Sequence, residues 1–171
     1  MPSTPPNVRN LVAELSGTAQ RLETLFEDLS NFERVWRPAQ GKWSCTEVVG
    51  HLADAELVFG YRIRSALAEP GKTLGAFDQD KWVATERWND LPAENGLRLF
   101  STLRSATLIL LDKLSDEGWA RHYIHSTRGP QTIADTAALL VSHDARHLVQ
   151  LGRTAEEARS ANQRGTRAAS R

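Results

Sequence analysis

The chain is poor in cysteine, has no net charge and contains no long apolar run. Its one cysteine, Cys45, excludes an intramolecular disulfide framework and any cysteine-rich zinc knuckle, so a bound metal would have to be held by histidine and carboxylate. Lys plus Arg and Asp plus Glu balance at 21 each, which removes the bulk field that draws a protein to nucleic acid or to an anionic membrane. No uninterrupted apolar stretch is long enough to span a bilayer, and "MPSTPPNVRN" lacks the charged and apolar regions of a secretory signal. These absences lead us to expect a cytoplasmic protein whose partners are small molecules rather than nucleic acid or membrane.

With 171 residues and 40% hydrophobic content, the chain can bury one core but is short for two domains. From Val8 to Leu29, apolar residues recur at three- and four-residue steps, the mark of a helix burying one stripe. "NFERVWRPAQGKW" interrupts the pattern, and Ser44 with Glu47 forms an S-x-x-E capping box that opens a second helix carrying Val48, Leu52, Ala55, Phe59, Ile63 and Leu67. The connection from Pro70 to Leu91 is longer than an antiparallel hairpin needs, permits a crossover, and has room for a short helix around Asp78 to Glu86. Asp90 and Pro92 mark a third long helix, whose buried face runs from Leu97 to Leu114. After a loop containing Gly129 and Pro130, Ile133 to about Arg153 forms the fourth. The reading is all-α, with no strand pattern, and with a bundle over residues 7–153. The small, polar, Arg-rich stretch 154–171 has little to bury and reads as a disordered tail.

"VSHDARHLVQLGR" places His143 and His147 four residues apart, on one helical face and about 6 Å apart along the axis at ~1.5 Å per residue. Both fall toward the apolar stripe, as does His51 in "TEVVGHLADAE" on the second helix. Three such rings have the donor set of an open metal site, although spacing alone belongs more often to ordinary hydrogen-bonded core histidines. Asp144 points into the bundle, either orienting an imidazole or bonded to backbone or the Trp43 indole. Asp54 and Glu47 flank His51 and are candidate general bases, against the alternative of solvated or capping charges. Cys45 sits in a first helical turn, where the dipole lowers a thiol pKa unless the side chain is simply packed. His122 and His125 read as surface loop residues. Trp36, Trp82, Trp88 and Trp119 read as caps on the core or on an interface, and Arg62 as a contact to an anionic substrate or a snorkelling side chain.

"KWSCTEVVGHLADAE", followed far downstream by "TIADTAALLVSHDARHLVQL", resembles the DinB superfamily in its bacillithiol-transferase-like branch. The resemblance implies an up-down-down-up four-helix bundle with its long connection between the second and third helices. It assigns a divalent metal to His51, His143 and His147, with zinc foremost and nickel, iron and manganese also suited to imidazole. The activity it implies is thiol-dependent S-transfer, in which a low-molecular-weight thiol is activated for attack on an electrophile; the alternatives are hydrolysis by a metal-dependent hydrolase and a non-catalytic metal-binding bundle. Homodimers are also implied.

Overall fold

A computed structural model describes residues 8–169, and the side chains of 8–167. The first apolar repeat folds as two helices, α1 (Val8–Ser16) and α2 (Thr18–Glu27), which meet at Gly17 and bury Leu11, Leu15, Leu22 and Phe26. A short α3 (Asn31–Val35) follows, opened by a capping box in which the Ser30 hydroxyl accepts from the Glu33 amide and the Glu33 carboxylate accepts from the Ser30 amide. The expected box at Ser44 and Glu47 opens α4 (Cys45–Ala68) in the same way. α5 (Gln79–Glu86) is capped by Asp78, a 3-10 turn covers Trp88–Asp90, and α6 (Ala93–Leu111) starts behind Pro92. α7 (Asp116–Ala120) and α8 (Ile133–Ala169) complete the helices.

Chain direction follows from which residues meet. Gly96 lies against Val49 and Gly50, Arg104 against Glu56, and Gly60 against Thr107, so α4 and α6 ascend together as parallel helices. The amino-terminal Leu15 packs in the cluster holding Phe59 and Ile63, whereas Leu22 and Phe26 pack with Cys45 and Val48, which sets α1 and α2 antiparallel to α4. α8 is antiparallel too, with Ile133 beside the far end of α4 and Leu151 beside its start. The bundle is therefore up-down-down-up, and the connection from Pro70 to Leu91 carries the chain back along its length.

Two expectations are corrected. Three strands, β1 (Thr73–Leu74), β2 (His122–His125) and β3 (Gly129–Thr132), form a small sheet in which β1 pairs with β2 in parallel and β2 pairs with β3 as an antiparallel hairpin. Strands of two and four residues are too short to display an alternating pattern, and Gly129 at φ 73° supplies the left-handed residue that the hairpin needs. The fourth long helix does not stop near Arg153: it continues to Ala169, burying Thr154, Ala155 and Ala158, and Asn162 donates to Glu33 at 3.1 Å. Of the expected tail, residues 170–171 lie outside the described residues, as does Asn7 at the other end.

The apolar interior is split in two, one cluster containing Leu15, Phe59, Ile63 and Leu140 and the other Leu22, Val48, Phe100 and Leu151. Between them lies a polar belt. Arg104, 1% exposed, donates from Nε to Glu56 at 2.9 Å and from Nη1 to the Leu15 carbonyl at 2.9 Å, and pairs with Asp144 at 2.8 Å; Thr18 donates to Asp144 at 3.0 Å. One guanidinium thus ties together α1, α4, α6 and α8 at mid-bundle, with Thr18 of α2 joining through Asp144. At this level α4 and α8 also present their histidines.

Candidate metal centre

His51 is fully buried on α4, and His143 and His147 project from successive turns of α8 on the facing side. One ligand atom from each lies within 4.8 Å of the other two. His51 Nε2 and His143 Nε2 are 3.1 Å apart. Two imidazole nitrogens sharing one ion at ~2.0–2.1 Å would lie roughly 3.0–3.4 Å from one another, so this approach is that of co-ligands. The ring centroids, 4.4 to 5.0 Å apart, enclose one point.

The electronic state of the rings suits the same role. Burial, reinforced by His147 and His143, pushes the His51 pKa down to about 3. Burial and His143 push that of His147 down to about 4. Neutral imidazole is the form that donates a lone pair to a metal. His147 Nδ1 lies 2.9 Å from Gln150 Oε1, which as acceptor places the ring proton on Nδ1 and leaves Nε2 available. Nδ1 of His143 lies 3.8 Å from Asp144 Oδ1, beyond hydrogen-bond length but close enough for the carboxylate to act on the ring. Burial pushes the Asp144 carboxyl up, but His143, Arg104 and Thr18 outweigh it and hold the group below its ordinary value. The belt carries two carboxylates, Glu56 and Asp144, against one guanidinium, and Glu56 Oε1 and Asp144 Oδ1 have no hydrogen-bond partner among the described residues. A cation at the histidines would offset that excess negative charge.

Two clefts border the triad. The first, of about 320 Å³, is bounded by His143 together with Phe59, Phe77, Arg62 and Arg146. The second, of about 210 Å³, is bounded by His147, Gln150, Trp43, Lys42 and Asp80. Gln79 at the start of α5 lines both. Trp43 covers the rings, its centroid 4.8 Å from that of His51 and 6.2 Å from that of His147. The centre is therefore bordered by one cleft at His143 and by another at His147.

The structure brings His51, His143 and His147 together and leaves the two candidate bases elsewhere. Glu47 is bound to the Arg37 guanidinium, at 2.8 Å from its Nε, and to the Ser44 amide; although burial pushes it up, these partners hold its carboxyl below the usual range. Asp54 is turned toward Glu86 and Trp88, and burial and Glu86 push its pKa up to about 7. Asp144 bonds neither backbone nor Trp43 but Thr18 and Arg104. Cys45 is a packed residue whose thiol burial pushes up to about 12. His125 is not a surface residue: β2 buries it to 4% exposure, whereas His122 is half-buried. Trp88 and Trp119 are buried, Trp119 as part of the apolar cluster that holds Phe59 and Ile63. Sequence reasoning missed Gln150, Asp80, Gln79 and Arg146; of these, Gln150 alone had a local signal, lying one helical turn beyond His147.

Comparison with known proteins places this geometry in context. The model of the DinB superfamily matches residues 14–151. A protein of Oceanobacillus iheyensis, provisionally named a metal-dependent hydrolase, is 25% identical over 145 residues, covering 85% of this chain and 83% of its own. One of Geobacillus kaustophilus with the same kind of name is 26% identical over 145 residues, covering 84% and 82%. Among solved structures, YfiT from Bacillus subtilis, described as a probable metal-dependent hydrolase with an unusual four-helix bundle topology, matches at a TM-score of 0.84 with 19% identity over 91% of both chains. A mycothiol-dependent maleylpyruvate isomerase matches at 0.70 with 11% identity, over 86% of this chain and 61% of its own.

Proposed function

Because the chain belongs to the DinB superfamily, we propose that it is a divalent-metal enzyme acting on small molecules, with His51, His143 and His147 as the ligands and thiol S-transfer to an electrophile as the reaction. The observation that carries the reading is the convergence of three imidazoles at a point bordered by two clefts. A divalent ion held there supplies a Lewis acid that makes a thiol or water acidic near neutral pH. The protein's own groups do the rest. Gln150 fixes the tautomer of His147, and Asp144, itself held by Arg104, sets the field at His143. Trp43 shields the rings from bulk water, and Asp80 is the carboxylate at the second cleft able to take a proton.

The pair of clefts favours two reactants over one. A thiol cosubstrate would occupy one cleft and an electrophile the other, which fits thiol use in the mycothiol-dependent isomerase of similar fold. Hydrolysis is the second reading, supported by the names of the relatives. A purely structural ion is less consistent with the open clefts, since structural sites close their coordination with protein ligands.

The test is metal analysis of untagged protein alongside assays with a low-molecular-weight thiol plus an alkylating electrophile, and with an ester. We expect close to one divalent ion per chain, lost on replacing any of the three histidines with alanine. We also expect metal-dependent loss of the thiol in the presence of the electrophile. Full metal content in all three variants would overturn the ligand assignment, and ester cleavage without thiol consumption would shift the reaction to hydrolysis.

A further inference from the structure

The cleft beside His143 contains an unusual charge arrangement. Its charged residues are Arg62, Arg128 and Arg146, and no carboxylate lines it among the described residues. Arg62 is 3% exposed yet makes no ion pair with a carboxylate among the described residues. One Nη2 bond goes to the Gly75 carbonyl at 2.9 Å, and the guanidinium lies over the Phe59 ring at 5.4 Å. Burying a guanidinium without a counter-charge is costly, and burial, with Arg128 adding to it and Tyr123 opposing it, lowers its pKa.

The hydrogen-bond directions sharpen this. His125 Nδ1 accepts the Thr127 amide at 3.2 Å, so in the neutral ring the proton sits on Nε2. That Nε2 faces Arg62 Nη2 at 3.4 Å. Two donors then confront one another, and neither supplies the acceptor that the other needs. An oxygen anion placed beside both would accept from each, with Arg128 and Arg146 adding charge at the mouth. Phe59, Phe77 and Leu139 form the apolar wall of the same cleft.

We propose that this cleft is a carboxylate subsite, formed by Arg62 and His125 with Arg128 and Arg146, which receives a small substrate having an apolar body and a carboxylate and holds it beside His143. The assignment rests on the enzymatic reading in that it makes the carboxylate-bearing molecule the reactant on this side of the centre. A planar carboxylate suits the flat guanidinium fork, and the apolar wall seats the body of the molecule.

The test uses benzoate, with benzamide as its uncharged counterpart, in ligand-observed NMR titrations of chelator-treated protein at constant ionic strength. Benzoate should bind at least tenfold more tightly than benzamide. Arg128→Ala and Arg146→Ala, both at exposed positions, should each weaken benzoate severalfold and together at least tenfold, while Arg153→Ala should change nothing. Arg62→Met should abolish the preference for benzoate; should it fail to fold by circular dichroism, the double variant carries the test. Equal binding of benzoate and benzamide, or unchanged binding by the double variant, overturns the subsite. Because the protein is metal-free, the two readings separate. His147→Ala that loses metal in loading experiments should keep benzoate within twofold. Retention of the benzoate preference by a protein that never binds metal would sink the proposed enzyme and leave the subsite standing, and the reverse pattern would do the opposite.

Discussion

Asp54 shows how a single burial sets a pH dependence. Its pKa is raised from 3.8 to about 7 by burial and then by Glu86, so the folded state binds this proton more tightly than the unfolded chain does. Folding stability from this group is therefore greatest at low pH, declines as pH rises from about 4 through 7, and is fully lost above 7. Asp54→Asn should leave stability near pH 4 unchanged and raise it by at least ~1 kcal/mol at pH 8, read by urea melts at both pH values. A constant difference across pH would count against the raised value. Cys45 gives the other residue-scale expectation. Its first-turn position suggests a reactive thiol, but burial dominates the helix dipole. A thiol reagent at pH 8 should leave native protein unmodified and label it only in denaturant, and rapid native labelling would show the packing to be wrong.

At the scale of elements, α4 and α6 approach closely because glycines sit where they meet their neighbours. A Cβ on Gly50 would fall 2.3 Å from the Trp88 ring, and one on Gly96 would fall 3.2 Å from Val49. The indole of Trp88 is itself buried, with little room to move, so Gly50→Ala should cost about 2–3 kcal/mol by overpacking, measured as a lower urea midpoint. Arg104→Met should be comparably severe, about 3–5 kcal/mol, since it leaves Glu56 and Asp144 buried without their cation. If the loss is electrostatic, adding Glu56→Gln and Asp144→Asn should recover part of it. Long helices were legible because each buries a stripe that repeats over several turns. The histidines were legible for the same reason, since α4 and α8 fix their directions by period. Arg62 and His125 were not: their meeting depends on β2 pairing with β1, and two-residue and four-residue strands leave no pattern to read. The Arg104 network was equally hidden, because nothing local to Arg104 announces carboxylates on two other helices.

On the scale of the whole molecule, the end of α8 tests how weak a periodic signal can still organise a chain. Leu151, Ala155 and Ala158 lie at four- and three-residue steps and are all buried, but alanine exposes so little apolar area that the stripe fades against the polar residues around it. The same stripe leads to Asn162, which donates to Glu33, the residue capping α3. The Glu33 carboxyl is held below its ordinary value, chiefly by the Ser30 amide and then by Asn162, with the Ser30 hydroxyl and Arg159 adding to this against the opposing effect of burial. The extension thus braces the loop between α2 and α4, which in turn leads into Trp43 over the histidines. Truncation after Arg153 removes the methyls of two buried alanines and one buried threonine and breaks the Asn162 bond, a loss of about 3–4 kcal/mol from ~0.8 kcal/mol per buried methyl and ~1 kcal/mol per hydrogen bond. For a chain of 171 residues this corresponds to a fall in Tm of roughly 6–16 °C. Calorimetry of the truncated and full-length proteins, both stripped of metal, measures it directly. An unchanged Tm would return residues 154–169 to the status of a dispensable tail; the expected fall, with Asn162→Ala reproducing part of it, would make the far end of α8 a structural support for the loop that covers the site.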